Sequence, residues 1–276
     1  MGGQTMSARP IVKWAGGKSK LVGELLARAP NAHLRYFEPF LGGGALFFRL
    51  APRAAVLSDA NPDLIGCYQA VRDHVEAVIR ALAHHRDQHG ERHYYEVRDQ
   101  WNQGCEPAGS PERAATFIYL NKTCYNGLWR VNRSGGFNVP MGRYVNPPIL
   151  DPANLRAAAH ALARVRLDAA PFERVLDEAD AGDFVYFDPP YVPVSETADF
   201  TNYTAEGFGP AEQERLAQVV RTLADRGCAV MVSNSDTPRV RCLYAGLRVD
   251  RVMCARAINS KAGARGAAAE VIVWNG

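Results

Sequence analysis

The segment that most constrains the fold is Asp188-Pro189-Pro190-Tyr191, which directly follows the apolar run Phe184–Phe187. A short run of β-branched and aromatic residues predicts a strand buried on both faces, as in a parallel sheet. Two consecutive prolines can neither continue a sheet ladder nor lie inside a helix, so the chain must leave the sheet in a rigid turn. Ligands of open α/β sheets bind beyond the carboxyl ends of strands. The turn therefore predicts a ligand site with a carboxylate, a main-chain carbonyl and an aromatic face, although an ordinary strand-to-loop turn could share these four residues.

The composition indicates an ordinary globular chain, but its basic residues are clustered. The 276 residues are 47% hydrophobic and 22% charged, and the net charge is only +3. Residues 121–150 include four basic residues and no acid, and residues 248–265 include five basic residues and one acid. Two such stretches are typical of a protein that contacts a polyanion from two sides.

The six cysteines are scattered and form no C-x-x-C pair. This pattern argues against a disulfide framework or a zinc ribbon and favours a reducing compartment, so we expect a cytoplasmic location. We expect neither a membrane span nor a signal peptide, because no apolar run is long enough. The histidines at 84, 85, 89 and 93 could suggest a metal cluster, but Gly90 interrupts the helical spacing. We interpret them as a solvated helix end and predict no metal site.

The amino-terminal part has the pattern of a nucleotide-binding α/β unit. A predicted strand, Arg35–Glu38, leads through the glycine-rich turn Pro39–Gly44 into a predicted helix, Ala45–Leu50. A second predicted strand, Ala55–Ser58, ends at Asp59, where an acid can accept hydrogen bonds from both hydroxyls of a ribose. The glycine turn, which includes Phe40 and Gly42, lets a ligand lie against the backbone at the helix amino terminus. Together these features predict an adenosine-containing cofactor.

Residues 62–152 interrupt the alternation of strands and helices. They predict helices over 63–85 and 111–120, followed by a glycine-rich hairpin, Tyr125–Pro140, with its tip at Arg133–Gly136. Aromatic, amide and guanidinium groups alternate along the hairpin, as in segments that read bases in a DNA groove. An exposed loop with ordinary polar residues is the alternative.

From residue 153 the α/β pattern resumes. We predict a helix over 210–226 and strands over 229–232, 247–253 and 270–274. The glycine-rich loop Ile258–Gly266 contains Lys261 and Arg265, which we expect to contact phosphates.

Taken together, these segments resemble the Dam-type, D12-class DNA adenine-N6 methyltransferases along nearly the whole chain. The motifs that carry the resemblance are Lys13–Lys18, Glu38–Gly44, Asp59–Ile65, Tyr125–Arg130, Phe137–Pro140, Asp188–Tyr191 and Ser233-Asn234. The resemblance implies a Rossmann-like methyltransferase sheet of the α/β class, with an inserted helical and β-hairpin target-recognition domain. We accordingly expect a catalytic domain over 1–61 and 153–276 and a DNA-binding domain over 62–152.

The resemblance also implies S-adenosylmethionine as methyl donor and double-stranded DNA, with the site GATC, as substrate. The implied cofactor-binding residues are Trp14, Lys18, Asp59 and Asp188, to which the glycine turn adds Phe40 and Gly42. The implied DNA-binding residues are Lys13, Tyr125, Asn126, Leu128, Arg130 and Pro140, to which the basic stretches add Arg133, Lys261 and Arg265. No obligatory protein partner is evident.

The expected chemistry centres on the exocyclic amine of adenine, whose lone pair is delocalised into the ring. We expect the Asp188 carboxylate and the Pro189 carbonyl to accept hydrogen bonds from the two N–H groups of this amine, which frees the lone pair to attack the methyl group. The base must leave the duplex to reach this site, and Tyr191 would stack on it. Two alternatives remain from the sequence alone: an N4-cytosine methyltransferase, against which only Asp in place of Ser at 188 argues, and a catalytically inactive DNA-binding protein.

Overall fold

The computed structural model describes residues 7–193, 208–255 and 267–276. Its strands are β1 (Tyr36–Glu38), β2 (Ala55–Asp59), β3 (Val165–Ala169), β4 (Phe184–Phe187), β5 (Ala229–Ser235), β6 (Arg248–Ala255) and β7 (Ala267–Trp274). Its helices are α1 (Val22–Leu26), α2 (Ala45–Leu50), α3 (Pro62–Asp87), α4 (Glu91–Gln103), α5 (Pro111–Thr123), α6 (Pro152–Leu162), α7 (Pro210–Asp225) and α8 (Pro238–Leu243).

The strands form one seven-stranded sheet with the order β3-β2-β1-β4-β5-β7-β6. The first five of these strands pair in parallel, and β7 runs antiparallel between β5 and β6. The order reverses between β1 and β4, which pair through Tyr36 with Phe184 and Phe37 with Val185. This reversal is the switch point at which a crevice opens beyond the carboxyl ends of the strands. The mixed α/β sheet confirms the predicted fold class, and β4 is buried along its whole length, as predicted.

Several helices begin with the same local device, a capping side chain followed by proline. Asn61 accepts hydrogen bonds from the backbone N–H groups of Asp63 and Leu64 at 3.0 and 3.1 Å, and Pro62 opens α3. Ser110-Pro111, Asp151-Pro152 and Thr237-Pro238 open α5, α6 and α8 in the same way. The capping oxygen satisfies N–H groups that have no partner inside the helix, and proline lacks that N–H and has a suitable φ angle.

The elements without a prediction from the sequence include β3, α4, α6 and α8. The edge strand β3 buries only Val165 and Leu167, so its apolar pattern is too short to stand out. Helix α4 is strongly polar, and Tyr94, Val97 and Trp101 provide its buried stripe. Such weak patterns are recognised only once the neighbouring elements are known.

The segment predicted as a β-hairpin is a loop held by isolated bridges. Val131 bridges Phe137, and Cys124 bridges Met141, but the described arms form no regular strands. The backbone N–H of Asn132 donates to the Gly136 carbonyl at 2.8 Å, which closes the turn near the predicted tip. Buried residues of the inserted segment, such as Phe117 and Trp129, belong to the same core cluster as residues of the sheet. The domain boundaries remain a prediction.

The histidines near the end of α3 are less solvated than the sequence indicated. His85 stacks on Tyr119 with ring centroids 4.9 Å apart, and its ring nitrogens lie 3.1 Å from His93 Nε2 and 3.1 Å from Thr116 Oγ1. Burial lowers the pKa of His85 to about 4. His84, His85 and His93 line a cavity of about 520 Å³, yet no group of His, Cys, Asp and Glu within the described ranges has a geometry that could hold a metal ion. Across the same described ranges, no helix is long and apolar enough to cross a bilayer.

Candidate active site

The carboxylate of Asp188 lies directly beyond β4 and is held by two neighbours. Its Oδ1 accepts a hydrogen bond from Ser233 Oγ at 2.7 Å and pairs with Lys18 Nζ at 2.8 Å. Ser233 lies on β5, is fully buried, and its Oγ is 3.0 Å from the Tyr186 hydroxyl. The predicted catalytic carboxylate is therefore fixed in orientation before any substrate binds, which is a requirement for efficient electrostatic catalysis.

The turn after Asp188 is clamped by side chains from β5 and α7. Asn234 Oδ1 accepts from the backbone N–H of Val192 at 3.0 Å, and Gln213 Nε2 donates to the Pro190 carbonyl at 2.7 Å. Asn234 Nδ2 in turn donates to Gln213 Oε1 at 3.2 Å. Sequence reasoning singled out Asn234 but missed Gln213, because a glutamine in a helix gives no local signal. The clamp keeps the Asp-Pro-Pro-Tyr turn rigid.

Tyr191 is held at both its hydroxyl and its ring face. The hydroxyl donates to Glu270 Oε2 at 2.8 Å, and Lys18 Nζ lies 4.4 Å from the ring centroid. Glu270 lies on β7, and nothing in its local sequence distinguished it from an ordinary strand residue. The structure thus brings Asp188, Tyr191 and Lys18 together, although Lys18 was assigned to the cofactor.

The glycine turn after β1 is fixed by Asp59 and Trp14. The Asp59 oxygens accept hydrogen bonds from the backbone N–H groups of Gly42 and Asn61, both at 3.0 Å. Gly42 has φ +46°, and a Cβ atom there would lie 2.6 Å from Trp14 Cδ1. Glycine is needed at this position because the tryptophan ring occupies the space of a side chain. Phe40, at the start of the turn, packs face to face with Phe172 at a centroid distance of 5.4 Å.

Two acids beside this turn lie in surroundings that disfavour their charge. Glu38 is 2% exposed and accepts a hydrogen bond from the Tyr36 hydroxyl at 2.8 Å. Burial raises the pKa of Glu38 to about 8 and that of Asp59 to about 6, although hydrogen bonds to each carboxylate partly oppose the change. No ion pair to either carboxylate occurs among the described residues. A cationic group with hydrogen-bond donors would suit this pair of acids.

We expect Glu38→Gln to change how stability depends on pH. The folded-state pKa lies above the ordinary value of 4.5, so the folded state binds the proton more tightly and the protein loses stability as pH rises from about 4.5 to about 8. Glutamine stays neutral and can still accept from Tyr36, so the variant should match the wild type at pH 5 and exceed its melting temperature at pH 9. Thermal unfolding across this range measures the effect. Glu91→Gln, at the exposed start of α4, is the control, and equal pH dependence of Glu38→Gln and the wild type would contradict the expectation.

The predicted DNA-binding segment alternates between buried and exposed residues. Its buried residues are Gly127, Trp129, Phe137 and Val139. Trp129 packs against Phe117 and Phe137 with centroid distances of 4.1 and 4.5 Å, which anchors the segment on α5. The residues predicted to contact DNA lie on the other side, where Tyr125, Asn126, Arg130, Arg133 and Pro140 are exposed and Leu128 is partly buried.

Arg130 is oriented by a neighbour on the opposite arm of this segment. Its Nε donates to Asn138 Oδ1 at 3.0 Å, which restricts the guanidinium to one direction. Asn138 belongs to a motif that carries the family resemblance, but the sequence did not indicate its role. An oriented guanidinium presents its remaining N–H donors as a fork, the geometry that suits guanine.

Asn121, a buried residue that sequence reasoning missed, joins the amino-terminal loop to the recognition segment. Its side chain exchanges two hydrogen bonds of 2.7 Å with the backbone of Lys13 and donates to the Gly127 carbonyl at 3.4 Å. A Cβ atom on Gly127 would lie 2.5 Å from Lys13 Cδ, so glycine is needed for this approach. Lys13 Nζ lies 4.2 Å from the centroid of the Tyr144 ring. The two predicted DNA-contacting regions are thus adjacent. Lys261 and Arg265 lie outside the described residues.

A mainly parallel sheet of this order, with an Asp-Pro-Pro-Tyr turn at the switch point, defines a Rossmann-like methyltransferase. The family model for D12 class N6 adenine-specific DNA methyltransferases matches residues 14–258, and the chain belongs to this family. It is therefore an adenine-specific DNA methyltransferase, which confirms the predicted enzyme class and rules out the cytosine alternative.

Curated relatives agree with this assignment over most of their length. The chain is 40% identical to the Type II methyltransferase M1.LlaDCHI of Lactococcus lactis subsp. cremoris, over 98% of this chain and 96% of the relative. It is also 40% identical to the Type II methyltransferase M.MjaIII of Methanocaldococcus jannaschii, over 93% and 94% of the two chains. Identity to the DNA adenine methylase of Escherichia coli strain K12 is 34%, over 93% and 91%.

Proposed function

We propose that this methyltransferase transfers a methyl group from S-adenosylmethionine to N6 of an adenine flipped out of duplex DNA, within the sequence GATC. The observation that carries the proposal is the fixed Asp188 carboxylate at the switch point, with the buried Pro189 and the ring of Tyr191 next to it. The cofactor, when bound, supplies the electrophilic methyl group.

Asp188 and Pro189 act on the nucleophile. The Asp188 carboxylate and the Pro189 carbonyl each accept a hydrogen bond from one N–H group of the amine. These two hydrogen bonds draw the nitrogen toward tetrahedral geometry and localise its lone pair. The positive charge that develops on nitrogen lies against the carboxylate, whose position is already set by Ser233. Tyr191, held through Glu270, stacks on the base and fixes its plane. The chemistry needs no covalent enzyme intermediate, and the methylated nitrogen loses one of its two protons to become a neutral secondary amine.

The surroundings of β1 and β2 support S-adenosylmethionine as the cofactor. This molecule carries a sulfonium, an ammonium and two ribose hydroxyls, all of which suit buried acids that have no cationic partner in the described part of the chain. Asp59 would hold the ribose and Glu38 would face the positive charge, while Trp14, Phe40 and Gly42 shape the turn beneath.

We expect Asp59→Ala to weaken cofactor binding by about 1.5–3 kcal/mol, the loss typical of hydrogen bonds to a charged acceptor. Because alanine also frees the N–H groups of Gly42 and Asn61, Asp59→Asn is the matched variant that keeps an acceptor oxygen. Calorimetry with S-adenosylmethionine measures the affinity, and DNA affinity without cofactor should barely change. A large DNA-binding defect together with normal cofactor affinity would exclude the ribose role.

The affinity for S-adenosylmethionine measured in the same assay should depend on pH. The pKa of Asp59 is raised to about 6, and the ribose hydroxyls require the carboxylate form. Wild-type affinity should therefore fall as pH drops below about 6, and Asp59→Asn should lack this component.

The specificity for GATC is tested by the reaction itself. Methyl-labelled cofactor is incubated with a duplex that contains one GATC site, and the digested nucleosides are separated to identify N6-methyladenine. A duplex in which the site is changed to CATG, which keeps both adenines and their base pairs, is the control. Resistance of treated plasmid to an endonuclease that methylation of GATC blocks gives an independent result, and equal labelling of both duplexes would refute this specificity.

A further inference from the structure

The ammonium of Lys18 is buried between the two groups that the proposed mechanism assigns to the target base. Only 8% of this side chain is exposed. Its Nζ lies 2.8 Å from Asp188 Oδ1 and 4.4 Å from the centroid of the Tyr191 ring, and it also donates to the Gly16 carbonyl. Burying an ammonium is costly unless its N–H groups are paired, and these contacts provide the pairing.

The same contacts are those that an adenine amine would make. A lysine ammonium and the exocyclic amine of adenine both present N–H donors, and both interact favourably with a carboxylate and an aromatic face. The two nitrogens cannot occupy one position. A base that stacks on the ring face covered by Lys18 and donates to the Asp188 oxygen paired with Lys18 displaces the ammonium.

We propose that Lys18 is a placeholder: its ammonium occupies the position of the target amine and is displaced when the flipped adenine binds. The proposal rests on the roles given above to Asp188 and Tyr191. Lys18 is a positioning residue in this sense, because it keeps the carboxylate and the ring arranged for a nitrogen donor while no base is bound. Lys18 also competes with the base. To enter the site, the base must leave the DNA stack and also displace the ion pair between Lys18 and Asp188.

The local structure allows this movement without refolding. Gly16 and Gly17 form an exposed turn beside Lys18, and the Gly17 backbone N–H donates to the Trp14 carbonyl at 3.0 Å. Gly16 has φ +77°, and a Cβ atom built there would lie 3.6 Å from Lys18 Nζ, so the ammonium already borders the exposed turn. Rotation about the flexible four-carbon chain is sufficient to bring the ammonium to water.

The test measures base flipping in a variant that lacks the ammonium. Lys18→Met keeps an apolar chain of similar length but provides no N–H donor. The probe is a GATC duplex with the fluorescent analogue 8-vinyladenine at the target position, which retains the 6-amino group and whose fluorescence rises when the base leaves the stack. Each protein is saturated with S-adenosylhomocysteine at a concentration set from its own affinity, so that no methyl transfer occurs. Lys20→Met, which changes an exposed lysine two residues further on, is the control.

If Lys18 holds the place of the amine, Lys18→Met should increase the flipped fraction, with an apparent flipping equilibrium about fivefold more favourable than in the wild type and Lys20→Met. Lys18→Arg, which retains a cation, should show no such gain. An unchanged or lower flipped fraction in folded Lys18→Met would overturn the proposal, because it would mean that the ammonium does not compete with the bound base. If Lys18→Met does not fold, Lys18→Ala is measured with the same expected direction.

Asp188→Ala in a methyl-transfer assay separates this outcome from a failure of the proposed function. Retained activity of Asp188→Ala would remove the catalytic assignment itself. An inactive Asp188→Ala combined with no gain in Lys18→Met would refute the placeholder alone.

Discussion

Replacing Asp188 with alanine should reduce methyl transfer by a factor of about a hundred or more while leaving the protein folded. Loss of one preorganised group that stabilises developing charge typically has an effect of this size. The side chain is 19% exposed, and its described partners, Ser233 and Lys18, lose only one contact each. Single-turnover rates at saturating DNA and cofactor measure the chemical step without contributions from binding.

Two further variants complete this experiment: Asp188→Asn tests the role of the negative charge, and Asp168→Asn is the control. Asparagine at 188 keeps the shape and can still accept from Ser233, but it lacks the negative charge that the developing positive charge requires. Its rate should therefore also fall sharply. Asp168 lies on the edge strand β3, away from the switch point, and pairs with Arg166 at 2.7 Å, so Asp168→Asn should retain activity. Near wild-type turnover of Asp188→Ala would show that the assigned chemistry is wrong.

The sheet strands that contact the site were predictable because their sequences carry strong local signals. The run Phe184–Phe187 is apolar throughout, and the two prolines after Asp188 define where the strand ends. The glycine turn after Glu38 and the acid that ends β2 likewise follow from residue types at short spacing. Strand β3 gave no such signal because, at the edge of the sheet, it buries only alternate residues.

The partners of the site residues could not be predicted, because they come from distant parts of the chain. Glu270 contacts Tyr191 across 79 positions, and Asn121 contacts Lys13 across 108. Each is an ordinary polar residue in a strand or helix, and only the strand order brings it to the site. Lys18 was placed near the cofactor by resemblance, whereas its contact with Asp188 depends on how the amino-terminal loop folds over β4.

The recognition segment shows the same division between local and distant information. Its lack of acids and its alternation of aromatic, amide and guanidinium groups predicted a DNA-binding surface. The exposed positions of Arg130 and Pro140 are consistent with that interpretation. The two strands of the predicted hairpin are absent from the described segment, because aromatic packing on α5 and side-chain hydrogen bonds hold it instead. Asn102, on α4, exchanges hydrogen bonds of 3.0 and 2.8 Å with the backbone of Phe137. These contacts replace ladder hydrogen bonds, so the segment is rigid without a regular sheet.

This rigidity leads to the second large effect, a loss of sequence specificity in Arg130→Ala. We expect the substitution to cost about 1–3 kcal/mol on the cognate GATC duplex and much less on duplexes already altered at the guanine that Arg130 reads. The hydrogen bond from Arg130 Nε to Asn138 Oδ1 aims the guanidinium, so Asn138→Ala should weaken the same discrimination to a smaller extent. A phosphate contact would behave differently, because its loss weakens all sequences about equally and lowers the salt dependence.

The measurement is the methylation rate on a panel of GATC duplexes with single base-pair substitutions, at two salt concentrations. Arg215→Ala provides the control for loss of one positive charge, since Arg215 lies on α7 and pairs with Glu173 and Glu212 rather than with the recognition segment. Lys261→Ala tests the phosphate role expected from the sequence, and its losses should be uniform across the panel, with a salt slope lower by about one unit. Uniform losses for Arg130→Ala as well would reduce Arg130 to a backbone contact. The assignment of GATC would then lose its support from the recognition segment, because the aimed guanidinium is the feature of that segment best suited to reading a guanine.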